Sequence, residues 1–176
     1  MPIDAEFSRP FALDSLPPGG TAVVLKASAE ECRALAARFD LAQLHALEGE
    51  VRIEPADAGT LVHVAGHLEA DAVQSCVVTL EPVAAKVQAD FDRLFSRALP
   101  AEARGEVEID PEAELPEPLP HSGKLDLGEI LAEELSLALD PYPKAPEADR
   151  LLAELQLGDR GEADRPFSVL ASLRKH

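Results

Sequence analysis

The 176-residue sequence predicts an α+β fold: an antiparallel β-sheet meander with flanking helices, an acidic disordered linker and C-terminal helices. Three observations predict it. Apolar and polar residues alternate along much of 47–95, apolar residues recur at helical spacing on both sides of that region, and residues 100–122 are acidic and rich in proline. We therefore expect an α+β core at 1–99, a linker at 100–122 and a helical part at 123–176 that packs on the core.

The N-terminal region combines an extended segment with one helix. A turn at 17–20 precedes a β-prone run from Thr21 to Leu25. Ser28 is placed to cap a helix, and Glu31 follows three residues later in the pattern of a capping box. Four apolar residues then recur at helical spacing and are expected on one buried face: Cys32, Leu35, Ala36 and Phe39.

Apolar runs, most of them with a period of two, predict four successive strands. The first runs from Leu47 to Glu54, the second from Val62 to Glu69, the third from Gln74 to Leu80 and the fourth from Val83 to Phe95. Short turns between successive strands are typical of an antiparallel meander. The alternation leaves one face of this sheet in water.

The region after Gly123 returns to helical spacing. Asp126 is placed to cap a helix with an apolar stripe, and Asp140-Pro141 ends it. Residues 148–157 predict a short helix, and Pro166 can open a terminal helix that runs through Leu173.

The charge of the chain restricts its partners. Asp and Glu number 33 against 16 Lys and Arg, which gives a net charge of −17. Proteins that coat nucleic acids gain affinity by neutralising phosphates, so we expect no DNA partner and at most a weak direct contact with RNA. No apolar run approaches the length of a membrane span, and no secretory signal opens the chain, so we expect a cytoplasmic protein without a membrane partner.

Neither metal ligands nor catalytic motifs are predicted. His63 and His67 lie four residues apart on a strand, about 13 Å, which is too far for one ion. Cys76 has apolar neighbours and no nearby cation that would lower the pKa of its thiol. Glu133 and Glu134 are adjacent on a helix, where a solvated face is the expected role. We expect no enzyme activity and no cofactor.

The C-terminal stretch from Arg165 differs from the rest of the chain. It combines an apolar stripe with positive charge. Two interpretations stay open: a helix docked on the core with a solvated basic end, or a short recognition helix for a protein or RNA partner. The residues that define this stretch are Phe167, Leu170, Leu173, Arg174 and Lys175.

Three stretches follow one another in an order seen in one bacterial family. They are Val64–Leu68 followed by Gln74–Val83, then Gly123–Leu135 continuing to Pro143, and finally Arg165–Arg174. With these stretches the chain resembles the YceD family, the large ribosomal RNA subunit accumulation proteins. The resemblance covers the chain from about residue 6 to its end.

The resemblance implies a cytoplasmic, non-enzymatic factor that supports accumulation of large-subunit (23S) ribosomal RNA. Large-subunit ribosomal proteins or assembly intermediates are then the expected partners. The alternative is an acidic protein-interaction or regulatory module with no ribosomal role. The candidate partner-contact residues are Cys76, Asp126, Glu133, Glu134, Phe167, Leu170, Leu173, Arg174 and Lys175.

The resemblance also raises the question of a metal. Many family members carry a C-x-x-C pair at the strand turn, sometimes with downstream cysteines that suggest a zinc site. Here Cys76 matches the first position of the pair, Thr79 stands at the second, and residues 140–146 contain no cysteine. We therefore expect no metal site in this chain.

Overall fold

A computed structural model describes residues 5–97, 116–120 and 122–154. The strands and the helices occupy largely separate stretches of the chain, which is typical of an α+β fold. The predicted α+β class is therefore confirmed. The elements are β1 Pro10–Ala12, β2 Thr21–Lys26, α1 Ala29–Arg38, β3 Gln43–Ala56, β4 Leu61–Ser75, β5 Pro82–Ser96, β6 Glu117–Pro118, β7 Lys124–Asp126, α2 Leu127–Ala138 and α3 Ala148–Glu154.

The main sheet has five strands in the order β2-β3-β4-β5-β6. The first four form an antiparallel meander, as the fold class predicts, but its members are β2 to β5 and not the four strands predicted within 47–95; β6 pairs parallel with the end of β5. A second, two-stranded sheet joins β1 to β7 and so links the N-terminal segment to the start of α2. Within the described residues, no helix is both long enough and apolar enough to cross a membrane.

The core lies between one face of the sheet and helices α1 and α2. Leu35 of α1, Val51 and Leu68 of the sheet, and Leu131 of α2 are fully buried in one cluster. Gly49 allows α2 to approach β3 closely, since a Cβ there would lie 2.6 Å from the Leu131 side chain. Helix α2 therefore packs directly on the sheet.

The predicted helix starts are confirmed. Ser28 accepts the N–H of Glu31, while the Glu31 carboxylate accepts the N–H of Ser28, which completes the capping box. Asp126 caps α2 by accepting the N–H groups of Gly128 and Glu129. Capping satisfies backbone donors that have no partner within the first turn.

The predicted third strand, Gln74 to Leu80, is wrong. β4 continues without a break from Leu61 to Ser75, and residues 76–81 form the turn into β5. The alternation persists through Ala70 and Ala72, whose buried side chains are too small to mark a period clearly. Leu80 has a φ of 62°, the left-handed conformation that closes this turn.

The range predicted as a linker is partly structured. Glu117–Pro118 pairs with Phe95–Ser96, so the end of that range lies on the sheet. Residues 98–115 lie outside the described part of the chain. The predicted helix at 148–157 is described as far as Glu154, and the predicted terminal helix at 166–173 lies outside the described residues.

Candidate functional site

The sheet has an open face, which points away from α1 and α2. Because side chains alternate along a strand, every second residue of β2 to β5 projects from it. Seven carboxylates stand there against three Lys or Arg side chains and two histidines. The charged and polar residues of the open face are Lys26, Glu48, Glu50, Arg52, Glu54, His63, His67, Glu69, Asp71, Lys86, Gln88, Asp90 and Asp92.

The register of the strands brings these groups into rows. His67 on β4 lies between Glu50 on β3 and Asp90 on β5. In the neighbouring row Glu69 lies beside Glu48, so two carboxylates are directly opposite each other. Like charges in this position destabilise a sheet, and here Lys26 pairs with Glu48 at 3.1 Å while the Gln88 amide donates to Glu69 at 2.9 Å.

Both histidines of the open face are paired with carboxylates on β5. His63 Nε2 lies 2.8 Å from Asp92 Oδ1, and His67 Nδ1 lies 2.7 Å from Asp90 Oδ1. Glu69 Oε1 lies 3.6 Å from the other ring nitrogen of His67. The hydrogen bond to Asp90, aided by Glu69, raises the pKa of His67 because both carboxylates favour the protonated ring.

The same face carries a shallow cavity of about 170 Å³ near the bulge in β3. Carboxylates and Lys86 dominate its lining. Pockets that enclose small-molecule substrates usually measure about 300–1,000 Å³ and are mainly apolar. The cavity suits a single cationic side chain better than a small-molecule substrate.

Cys76 lies in the turn between β4 and β5, where it is fully buried. The N–H groups of Val78 and Thr79 donate to its Sγ at 3.4 Å each. The turn is joined to the segment after α2, since Val77 N–H donates to the Pro143 carbonyl at 2.9 Å. Cys76 thus belongs to a small apolar cluster with Ala145, Ala148, Val78 and Val83.

The residues around Cys76 do not fit a zinc ion. A structural zinc site needs four donors, usually thiolates or imidazoles, and the cluster around Cys76 supplies one sulfur and apolar side chains. Among the described residues, no group of three His, Cys, Asp or Glu is placed to hold a metal. Apolar packing and backbone hydrogen bonds hold the two segments together here.

The pKa of Cys76 is lowered by hydrogen bonds, which the sequence argument about a nearby cation did not consider. Burial alone raises the pKa of this thiol, but the N–H of Ala145, the Thr79 hydroxyl and the N–H groups of Thr79 and Val78 together lower it to about 7. These donors favour the thiolate without any cation. They are tertiary neighbours or turn groups, which a scan for basic residues does not find.

Asp126, Glu133 and Glu134 have internal partners. Asp126 accepts hydrogen bonds from the Ser8 hydroxyl and from the N–H of Arg9, in addition to capping α2. Glu133 lies 2.6 Å from Arg93 Nη1, and Glu134 lies 3.7 Å from the same atom. Burial raises the pKa of Glu134, the least exposed carboxylate around this arginine.

The structure does not bring the candidate contact residues together. Cys76 lies in the β4–β5 turn, Asp126 at the start of α2, and the two glutamates meet at Arg93. The other five candidates lie outside the described residues: Phe167, Leu170, Leu173, Arg174 and Lys175. As partner contacts, all nine residues stay predictions.

Sequence reasoning missed the open face as a site. Its alternation placed His63 and His67 on a solvated strand face, and it placed Asp90 and Asp92 on the solvated face of another strand. What it lacked was the register, which decides that each histidine meets an aspartate. The length of the turn between β4 and β5 fixes which residues of the two strands lie opposite each other. Together with the alternation of polar and apolar residues, it would have suggested that each histidine lies beside an aspartate.

Comparison with protein families decides where the chain belongs. The family model described as "Large ribosomal RNA subunit accumulation protein YceD" matches residues 64–174, more than half of the chain. The chain belongs to the YceD family. Its role at the level of the family is therefore ribosome-related, and the family name connects it with the accumulation of large-subunit ribosomal RNA. Searches of curated proteins and of solved structures each returned no match.

Proposed function

We propose that this protein is a non-enzymatic ribosome biogenesis factor of the cytoplasm, which supports accumulation of large-subunit (23S) ribosomal RNA. It does so by contacting basic large-subunit ribosomal proteins or assembly intermediates. The observation that carries the proposal is the open face of the sheet, where seven carboxylates outnumber three Lys or Arg side chains.

Charge complementarity favours a protein partner over RNA. Proteins that bind ribosomal RNA neutralise phosphates with Lys and Arg, so before assembly they expose positive charge. An acidic face attracts such proteins within roughly 10 Å at ordinary ionic strength, and it repels a phosphate backbone. By covering exposed cations, the factor would keep a ribosomal protein from nonspecific contacts until it meets its RNA site.

The surroundings of the polar groups support a role without catalysis. His63 and His67 lie on a flat strand surface, each beside an exposed aspartate, and the cavity of about 170 Å³ is small for a substrate. Cys76 is fully buried, so its sulfur is not accessible to a substrate from solvent.

The cellular experiment compares two charge-reversed variants in a strain that lacks the gene. Glu50→Lys with Asp71→Lys changes the open face, whereas Asp14→Lys with Glu147→Lys makes the same charge change at exposed positions elsewhere. We expect the deletion to lower the ratio of large- to small-subunit RNA, the control to restore it and the open-face variant to fail. An unchanged ratio on deletion would contradict the function and favour an interaction module without a ribosomal role.

A binding experiment separates protein contact from RNA contact. We expect large-subunit ribosomal proteins, identified by mass spectrometry, to co-purify with the wild-type chain and with the control but not with the open-face variant. Tight binding of naked large-subunit RNA fragments, lost when Arg174 and Lys175 become alanine, would instead show that RNA is the partner.

A further inference from the structure

The outer edge of β5 is a long stretch of strand without a described neighbour. β4 pairs with β5 from Pro82 to Ser96, whereas on the other side β6 pairs only with Phe95 and Ser96. Among the described residues, no strand lies beside 82–94 on that side. An open edge of this kind offers a row of backbone donors and acceptors to a further strand.

The hydrogen-bond alternation shows which residues present those groups. Arg97 N–H donates to the Thr60 carbonyl at 2.9 Å, and Cys76 N–H donates to the Glu81 carbonyl at 2.8 Å, so odd-numbered residues of β5 bond to β4. Even-numbered residues therefore direct their N–H and C=O groups outward. Ser96 follows this rule, since its carbonyl accepts the N–H of Leu119 at 3.1 Å. The outward-directed residues are Ala84, Lys86, Gln88, Asp90, Asp92 and Leu94.

Negative charge lies beside this edge on the open face of the sheet. On the open face, the side chain of Asp90 is 89% exposed and that of Asp92 is 65% exposed. On the opposite face, Glu133 of α2 is paired with Arg93 on β5, so this carboxylate is compensated within the chain. Leu137, one helical turn further along α2, is 78% exposed and offers an apolar contact beside this pair.

We propose that the outer edge of β5 binds an extended basic segment of a large-subunit ribosomal protein as an added β-strand. This inference rests on the proposed function and names its binding mode. Backbone hydrogen bonds would provide affinity, while Lys or Arg side chains on one face of the added strand meet Asp90 and Asp92 on the open face. A second copy of this chain fits less well, because two such edges, each from a chain of net charge −17, repel each other.

The test uses the full chain and two labelled peptides of about ten residues, the length of a long strand. One alternates Lys with Val, and the other is the same sequence with every peptide nitrogen methylated, so their charges match but only the first can donate a ladder of N–H bonds. We expect the Lys–Val peptide to bind at least about tenfold more tightly. Equal affinity for the two peptides would overturn the proposal and show plain electrostatic attraction.

A matched pair of proline variants locates the edge. Gln88→Pro removes an outward N–H from β5. Val24→Pro removes an outward N–H from the other edge of the sheet, at β2. Ala27 N–H donates to the Leu47 carbonyl on β3, so even-numbered residues of β2 direct their N–H groups outward. We expect about tenfold weaker binding of the Lys–Val peptide to Gln88→Pro and little change for Val24→Pro. Equal loss in both variants, with thermal unfolding confirming that both are folded, would contradict a β5 site.

Hydrogen exchange on the wild-type chain keeps the test decisive if Gln88→Pro does not fold. We expect the amides of Ala84, Lys86, Gln88, Asp90, Asp92 and Leu94 to exchange quickly in the free protein and slowly with the peptide bound. Protection of those amides in the free protein would overturn the proposal: concentration-dependent protection would identify a second copy, and constant protection the chain's own undescribed residues. The ratio of large- to small-subunit RNA in the deletion strain is measured independently of these tests. The binding mode can therefore be contradicted while the proposed function stands.

Discussion

Acidic residues have different partners on the two faces of the central sheet. On the side of the helices, arginines surrounded by carboxylates compensate the charge: Arg93 contacts Glu117, Glu133 and Glu134, and Arg38 bridges Glu6 and Glu129. On the open face, carboxylates outnumber cations and the nearest partners of two aspartates are histidines. Acids on the first side hold elements together, whereas the open face carries four more carboxylates than Lys and Arg side chains, and this excess is available to a partner.

This difference explains how a strongly acidic chain can fold. Charges that lie near the core are paired across elements that are far apart in sequence, so pairing also fixes the tertiary structure. Exposed carboxylates of the open face cost little in water, because screening weakens their repulsion. The unequal distribution therefore separates stability from binding, and each prediction below tests one side of that separation.

Removing a core side chain should have the largest effect. Leu131→Ala should lower the free energy of unfolding by about 3 kcal/mol, because it leaves a cavity between α2 and the sheet at Gly49. Val24→Ala, at a position 75% exposed beside the open face, should change it by less than about 0.5 kcal/mol. Urea denaturation measures both, and equal effects would contradict the assignment of the two faces.

The second largest effect should come from Arg93, which joins β5, β6 and α2. Arg93→Leu leaves three carboxylates close together and one of them largely buried, so we expect a loss of about 2 kcal/mol in the free energy of unfolding. Arg52→Leu is the control on the open face: its pair with Glu54 is exposed, so the loss should stay below about 0.5 kcal/mol. A loss at Arg52 as large as at Arg93 would remove the contrast between the faces.

Much of this architecture could be predicted from local pattern. Helix starts at Ser28 and Asp126 follow from capping chemistry, and the alternation along β3 to β5 follows from burial of one face. Local pattern failed where small residues hid the period, as at Ala70 and Ala72, and two predicted strands turned out to be one. It also gave no sign that β1 pairs with β7, because three-residue strands are too short to show a period.

The candidate site was less predictable because it depends on register and on tertiary contacts. His63 and Asp92 are 29 residues apart, and only the pairing of β4 with β5 brings them within 2.8 Å. The lowered pKa of Cys76 depends on the N–H of Ala145, which arrives from beyond α2. Residues that looked free for partners, such as Glu133, meet an arginine that the sequence places on a different element.

A smaller effect should appear at Glu31, on the side of the helices. The hydrogen bond from Arg9, with that from Ser28 N–H, lowers the pKa of Glu31 to about 2. A lowered folded-state pKa adds stability that is present above pH 4.5 and is lost as the pH falls towards 2. Glu31→Gln should therefore cost about 1 kcal/mol at neutral pH and almost nothing near pH 2.

Denaturation of this variant as a function of pH checks the expected window. Glu30→Gln removes the neighbouring exposed charge and serves as the control. A loss for Glu31→Gln that is the same at neutral and acidic pH would show that the side chain acts by its shape and not by its charge.

The smallest effect, at His67, tests the open face directly. Asp90 and Glu69 raise the pKa of His67, and Glu50 faces the same ring from β3. A raised folded-state pKa adds stability below pH 6.5 that is lost as the pH rises through the folded value, and on this exposed surface the gain is small. NMR titration of the ring should give a pKa above 6.5 that falls in Asp90→Asn and stays unchanged in Asp92→Asn, whose aspartate contacts His63.

The protonated ring also cancels negative charge, so binding of the Lys–Val peptide should weaken on acidification in the wild type and less in His67→Gln. Equal weakening in both would assign the pH dependence to the carboxylates and remove His67 from the surface that recognises cations.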